Sequence, residues 1–312
     1  MIQPILRLEN VVKTYDKKIA VDQVSLEVAK GSIFGMLGPN GAGKTSLIRI
    51  ITTITKADSG RILIDGEPLN SNHPEQIGYM PEERGLYKKM KVGDHLLYLG
   101  RLKGLSRVQT EKELKEWFEK FDIKDWWDKK VEELSKGMQQ KVQFIATVLH
   151  RPKLLILDEP FTGLDPINTN LIKEEIDRLH QTGTSIIFST HRMEQVEEIC
   201  ENIILINKGR NILEGRVDEI RNRFKENLFR IDFAGKLPES IPTRLKIVRQ
   251  NADSITVQVG GEEGSDSLLR YLIDQGVHIR AFNEILPSLN EIFIRQVESA
   301  NSVSGLLEEK PV

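Results

Sequence analysis

The sequence has little cysteine, no long apolar run and no excess of charge of one sign. Cys200 is the single cysteine in 312 residues, which excludes an intramolecular disulfide and a cysteine-rich zinc site and suits a reducing compartment. A small buried hydrophobe is the plainer reading of that side chain. No segment approaches the roughly 20 apolar residues that span a bilayer, and the opening MIQPILRLEN meets Arg7 before a long apolar stretch can form. The expectation is a soluble, cytoplasmic chain. With 44 Lys and Arg against 46 Asp and Glu, no global positive field exists to hold nucleic acid or anionic lipid nonspecifically. Internal repeats and low-complexity tracts are absent too.

What is present has ordinary globular proportions. Apolar residues make up 39% of the chain, enough for two domains, each with its own core. From Ile5 to about Asn222, short apolar runs alternate with segments of helical period, which predicts an α/β domain over 1–222 built on a mainly parallel sheet. The runs Ser32–Leu37, Leu154–Leu157 and Ser185–Phe188 read as strands covered on both faces. Between Val92 and Leu134 the strand signal stops and Leu114, Phe118 and Phe121 recur at helical spacing, which predicts an inserted helical subdomain over about 88–150. After Arg223, Phe229, Ile231 and Phe233 alternate with polar residues, as do Ile255, Val257 and Val259. A helix over Ser267–Gln275, a strand over Val277–Phe282 and a last helix capped by Ser288 and Glu291 through Val297 complete a small α+β domain over 223–298. The polar, unpatterned residues 299–312 are expected to be disordered.

Gly38-Pro39-Asn40-Gly41-Ala42-Gly43-Lys44-Thr45 fits G-x-x-x-x-G-K-[ST] in its required setting. A strand precedes it, and an amphipathic helix bearing Leu47, Ile50, Ile51 and Ile54 follows. Backbone N–H groups freed by the glycines cradle phosphate at a helix N-terminus, Lys44 bridges two phosphates, and the Thr45 hydroxyl suits Mg²⁺. Leu154-Leu155-Ile156-Leu157-Asp158-Glu159 then delivers two carboxylates at the end of a buried strand, where something cationic must stand near them. In phosphate-loop enzymes the Asp holds Mg²⁺, and a following Glu can take a proton from the attacking water. Leu134–Gln140, with Ser135 at an N-cap position, reads more readily on physics alone as an ordinary capped helix than as an anion site.

In this order the segments resemble the ATP-binding cassette (ABC) ATPases, over about Ile5 to Asn222. Leu134–Met138 stands as LSKGM where that family has LSGGQ. The resemblance implies that Ser135 and Gly137 reach ATP held by another subunit, so that the active unit is a head-to-tail dimer, a homodimer by expectation. It likewise implies that Asp165, in Thr162-Gly163-Leu164-Asp165, belongs to the D-loop. His191 becomes the switch histidine that senses the γ-phosphate and orients water, and Tyr15, ahead of the first expected sheet elements, the aromatic that stacks on adenine. The nucleotide set is then Tyr15, Gly38, Pro39, Asn40, Gly41, Ala42, Gly43, Lys44, Thr45, Ser46, Ser135, Gly137 and Asp165. The catalytic set is Glu159, His191 and Lys44, and the metal set is Thr45, Asp158 and Glu82. Glu82 occupies the last position of Ile77-Gly78-Tyr79-Met80-Pro81-Glu82, where the family usually has Gln. The following Glu83-Arg84-Gly85-Leu86-Tyr87 is similar to a subgroup of exporter ATPases that carry a C-terminal α+β domain.

The function implied is ATP hydrolysis with Mg²⁺ that drives a separate integral-membrane permease, with the chain peripheral on the inner face of the cell membrane. No nucleic-acid partner is expected. A mechanical ABC ATPase acting on ribosomes or DNA is the alternative; a single phosphate loop and the short span from Ser46 to Glu133 weigh against it. A nucleotide-regulated binding module without turnover is disfavoured by the presence of both Glu159 and His191. Trp117, Trp126 and Trp127 read as buried core more readily than as a docking surface for a permease helix.

Overall fold

The structure, a computed structural model, describes residues 3–235, 237, 245–260 and 264–308. The chain divides into two compact units, Met1–Arg216 and Val217–Val312, six residues earlier than the expected boundary.

The first unit opens with β1 (Pro4–Tyr15) and β2 (Lys18–Ala29), then β3 (Ile33–Leu37), α1 (Lys44–Ile51), β4 (Ser59–Ile64), β5 (Glu67–Pro68) and β6 (Ile77–Met80). Next come α2 (Val92–Leu102), α3 (Arg107–Lys120) and α4 (Lys136–Val148). The unit closes with β7 (Leu154–Asp158), α5 (Pro166–Gln181), β8 (Ser185–Thr190), α6 (Met193–Ile199), β9 (Asn202–Asn207) and β10 (Arg210–Arg216). Its six-stranded sheet has the order β10-β9-β3-β8-β7-β6, and every pairing is parallel except β10 with β9. β3, β7 and β8 are buried at every position, as expected for parallel strands roofed on both faces.

A second, four-stranded antiparallel sheet of order β2-β1-β4-β5 was not in the sequence expectation. It places Tyr15 at the end of a strand rather than ahead of the sheet elements. α1 lies between the sheets: one core joins Leu6, Leu8 and Val24 of the antiparallel sheet, Leu47, Ile50 and Ile51 of α1, and Met36, Ile156, Ile187 and Ile204 of the parallel sheet. Ile54 departs from its expected role. α1 stops at Ile51, and Ile54 is 61% exposed.

The span expected to be helical holds α2, α3 and α4. Ser106 caps α3 in a reciprocal box with Gln109, and Trp117 is buried between Phe121, stacked on it, and Phe144 at its edge. Trp126 and Trp127 are half-buried, with Trp127 tilted against Phe118.

The second unit carries α7 (Val217–Arg223), β11 (Leu228–Ala234), β12 (Leu245–Gln250), β13 (Ser254–Val259), α8 (Gly264–Asp274), β14 (His278–Ile285) and α9 (Leu289–Glu308). Its antiparallel sheet of order β12-β13-β11-β14 packs Phe229, Ile231, Phe233, Ile255 and Val257 against Leu268 and Leu272 of α8. β12 has no counterpart in the sequence reading. The expected cap of the last helix is present, with Ser288 Oγ accepting from Glu291 N and Glu291 Oε2 accepting from Ser288 N. α9 continues to Glu308, beyond Val297 and through ten of the residues expected to be disordered; 309–312 lie outside the described residues.

Candidate nucleotide site

β3 is a fully buried strand whose exit must turn at once into α1, and the glycines make that turn possible. Gly43 has φ 110°, and a Cβ there would sit 2.2 Å from Ala20 O; Gly38 has φ 152° and would place a Cβ 2.2 Å from Ile206 O. Side chains are excluded at both positions, so the backbone itself lines the loop. Ala42 O accepts from Gly209 N at 2.8 Å, which ties the loop to the sheet edge. Lys44, the first residue of α1, is buried and curls back to donate to Gly38 O (2.7 Å) and Pro39 O (3.3 Å).

β7 brings Asp158 opposite this loop. Thr45 Oγ1 donates to Asp158 Oδ2 at 3.4 Å, and Ser189 Oγ donates to Asp158 Oδ1 at 2.7 Å. Burial raises the Asp158 carboxyl above its usual range against the pull of Ser189 and Lys44, while Glu159 and Glu82 push it the same way as burial. Lys44 is lowered by burial, and Asp158, Glu159 and Glu82 oppose that shift. Each group is thus driven toward its neutral form by the same lack of water, and an added cation near the carboxylates would reverse that drive for Asp158.

Glu159 leaves β7 with φ 52°, a left-handed conformation. This turns its carboxylate toward the end of β8, where Oε2 accepts from Thr190 Oγ1 (3.0 Å) and Oε1 from His191 N (2.8 Å). His191 Nδ1 lies 2.5 Å from the same Oε1.

A cavity of about 400 Å³ is lined by Tyr15, residues 40–46, Glu82, Asp158 and Glu159, with Lys18 and Ala20. The structure therefore gathers most of the expected residues. Gly38 and Pro39 lie beneath as acceptors for Lys44, and His191 joins through Glu159. Glu82 is exposed at the cavity. Ser135, Gly137 and Asp165 do not line this cavity. Ser135 caps α4 by accepting from Met138 N, and Asp165 caps α5 by accepting from Asn168 N. A larger cavity, about 650 Å³, lies at the opposite ends of β7 and β8. Most of the charged groups lining it are paired: Lys120 and Arg178 with Glu175 beyond the lining, Arg151 with Glu113, and Lys30 and Lys153 with Asp65.

Several contributors escaped the sequence reading. Ser189 and Thr190 hold the two carboxylates, and the parallel register that sets Asp158 opposite Ser189 is the signal that would have found the first. On α4, Gln140 Nε2 donates to Pro160 O (2.8 Å) while its Oε1 accepts from Arg84 Nε (3.1 Å), and Gln143 Nε2 donates to Pro81 O (2.7 Å). Arg84 Nη2 also donates to Thr162 O at 3.3 Å. One helix thereby brackets the loop after β6 and the loop after β7.

Residues 21–162 match the ABC transporter family, and residues 215–297 match the family described as ATP-binding protein DrrA1-3-like, C-terminal domain. The chain is 45% identical to the ABC transporter ATP-binding protein YhaQ of Bacillus subtilis, over 94% of this chain and 98% of that one. It is 36% identical to Nod factor export ATP-binding protein I of Cupriavidus metallidurans, over 69% of this chain and 72% of that one. A solved ATP-binding subunit of an ABC transporter superposes with a TM-score of 0.67 at 30% identity, covering 70% of this chain and 93% of that one. The chain thus belongs to the ABC transporter ATP-binding proteins, the subunits that bind and hydrolyse ATP for a transporter.

Proposed function

We propose that this subunit powers export through a separate integral-membrane permease, with Mg²⁺ at the Thr45–Asp158 pair and two subunits closing head to tail over ATP. The observation that carries the chemistry is the convergence of Lys44, Thr45, Asp158 and Glu159 on one cavity. Lys44 exchanges its two carbonyl partners for phosphate oxygens. Thr45 Oγ1 and Asp158 Oδ2 are hard oxygen donors that leave most of a six-ligand shell to phosphate and water, which fits Mg²⁺. The ion supplies neutralisation of the developing phosphate charge. Glu159 takes the proton of the attacking water, and His191, bonded to it, holds that carboxylate. Glu82 adds a third oxygen on the metal side, and Tyr15 stacks on adenine. Ser135, Gly137 and Asp165, outside their own subunit's cavity, serve the ATP of the partner.

Export is supported by the relative named for Nod factor export. Permease contact falls to the surface after Glu82. Tyr87 is 54% exposed and meets Tyr98, itself 44% exposed, edge to face, with Lys88 and Lys89 adjoining in the sequence. With near-zero net charge the chain has no polybasic attraction to a bilayer, so membrane location follows from protein contact on the cytoplasmic side. Charge reversal at Lys88 and Lys89, or Tyr87→Ala, should release the protein from native membranes while ATP binding persists. Variants that stay membrane-bound, or a wild type that sediments only with ribosomes or DNA, would reject the transport reading.

A further inference from the structure

The nucleotide cavity has an aromatic wall, Tyr15, and the groups that hold this wall lie outside the cavity. β1 pairs with β4 only as far as Val12 opposite Ser59, so beyond Val12 the edge of β1 that faced β4 has lost its strand partner. Asp58 takes over that edge. Its N–H donates to Val12 O at 2.9 Å, its Oδ2 accepts from Thr14 N at 2.7 Å, and its Oδ1 accepts from Lys13 Nζ at 2.7 Å. These two donors, the ammonium first, hold the Asp58 carboxyl below its ordinary range.

Lys13 and Tyr15, two apart on a strand, lie on one face of the sheet. Lys13 Nζ is 5.4 Å from the centroid of the Tyr15 ring, and the Lys13 side chain is only 15% exposed. Tyr15 lines the cavity and Lys13 does not. The cation stands over the ring without lining the cavity, the placement that would leave the other side of the ring to a base.

We propose that Lys13 and Asp58 are positioning residues for the nucleobase: Asp58 fastens the end of β1 and the Lys13 ammonium, and the ammonium fixes the Tyr15 ring from behind. A ring held this way binds a base without first losing rotamer freedom. A cation on its rear face also draws π density from the phenol, which favours stacking on an electron-rich purine. The inference rests on Tyr15 being the adenine platform.

Titration of the full chain with ATP and, separately, with inorganic tripolyphosphate, both in excess Mg²⁺, tests it, because tripolyphosphate makes phosphate contacts and has no base. Lys13→Met and Asp58→Ala should each raise the ATP Kd about two- to five-fold, the range of a cation–π contact at an exposed site, and leave the tripolyphosphate Kd unchanged. Lys13→Arg, which keeps both the cation and a donor to Asp58, should restore wild-type ATP affinity. Tyr15→Ala measured alongside should weaken ATP and not tripolyphosphate. If it leaves ATP unchanged, the platform reading fails and takes the inference with it. If Tyr15→Ala weakens ATP while Lys13→Met and Asp58→Ala do not, or if those two weaken both ligands alike, the positioning role alone is overturned.

Discussion

Glu159 holds a left-handed backbone that costs a non-glycine residue about 1–2 kcal/mol. What it gains is three contacts at the end of β8: the Thr190 hydroxyl and the backbone and ring nitrogens of His191. Glutamine keeps the shape of that carboxylate and loses its basicity. Glu159→Gln is therefore expected to bind ATP with near wild-type affinity and to release phosphate about 10²- to 10⁴-fold more slowly. Lys44→Ala, by contrast, should lose both affinity and turnover, since the ammonium proposed to bridge the phosphates is gone. Parallel phosphate-release and ATP-titration measurements separate the two effects; wild-type turnover in Glu159→Gln would remove Glu159 from the role of base. Both residues were legible in the sequence because each sits in a contiguous motif. Ser189 and Thr190 were not, because their partners 31 residues away become neighbours only through the register of β7 with β8.

At the scale of elements, α4 does more than begin at the Ser135 cap. Gln140 is 2% exposed and uses both ends of its amide, one on Pro160 O and one on Arg84. Gln140→Ala leaves a buried carbonyl without its donor, so a loss of about 1–3 kcal/mol is expected, read as a lower urea midpoint at unchanged slope. A change within about 0.5 kcal/mol would mean that water replaces the amide.

His150 follows α4 and sits beside Ile77 O, to which Lys103 Nζ also donates at 2.9 Å. Burial and then the Lys103 ammonium lower its pKa to about 4, below the 6.5 of an unfolded histidine. Between those values the unfolded chain binds the extra proton, so stability is full above about pH 6.5 and declines as pH falls toward 4. Urea midpoints of wild type and His150→Gln across this window should differ, with the acid-side decline shallower in the variant. Superposable curves would show that His150 titrates normally.

For the whole molecule, the telling fact is that Ser135, Gly137 and Asp165 do not line the cavity of their own subunit. Glu159→Gln with ATP should consequently elute as a dimer, and adding Ser135→Arg should return it to monomer while ATP still binds. A monomer in both cases would argue against the head-to-tail arrangement.

The sequence by itself determined the phosphate loop, the two carboxylates at the end of β7, the caps at Ser135, Asp165 and Ser288, and the switch from α/β to helical to α+β character. Each depends on backbone angles, hydrogen-bond donors and apolar period within a few adjacent residues. Only the tertiary structure decided that β1 runs between β2 and β4, that Asp58 closes the end of β1 across 44 residues from Thr14, and that Gln140 joins Arg84 to Pro160 across 56 and 20 residues. These contacts depend on the register between distant segments. Register is set by how a whole apolar face is buried, a property that no short stretch of the chain contains.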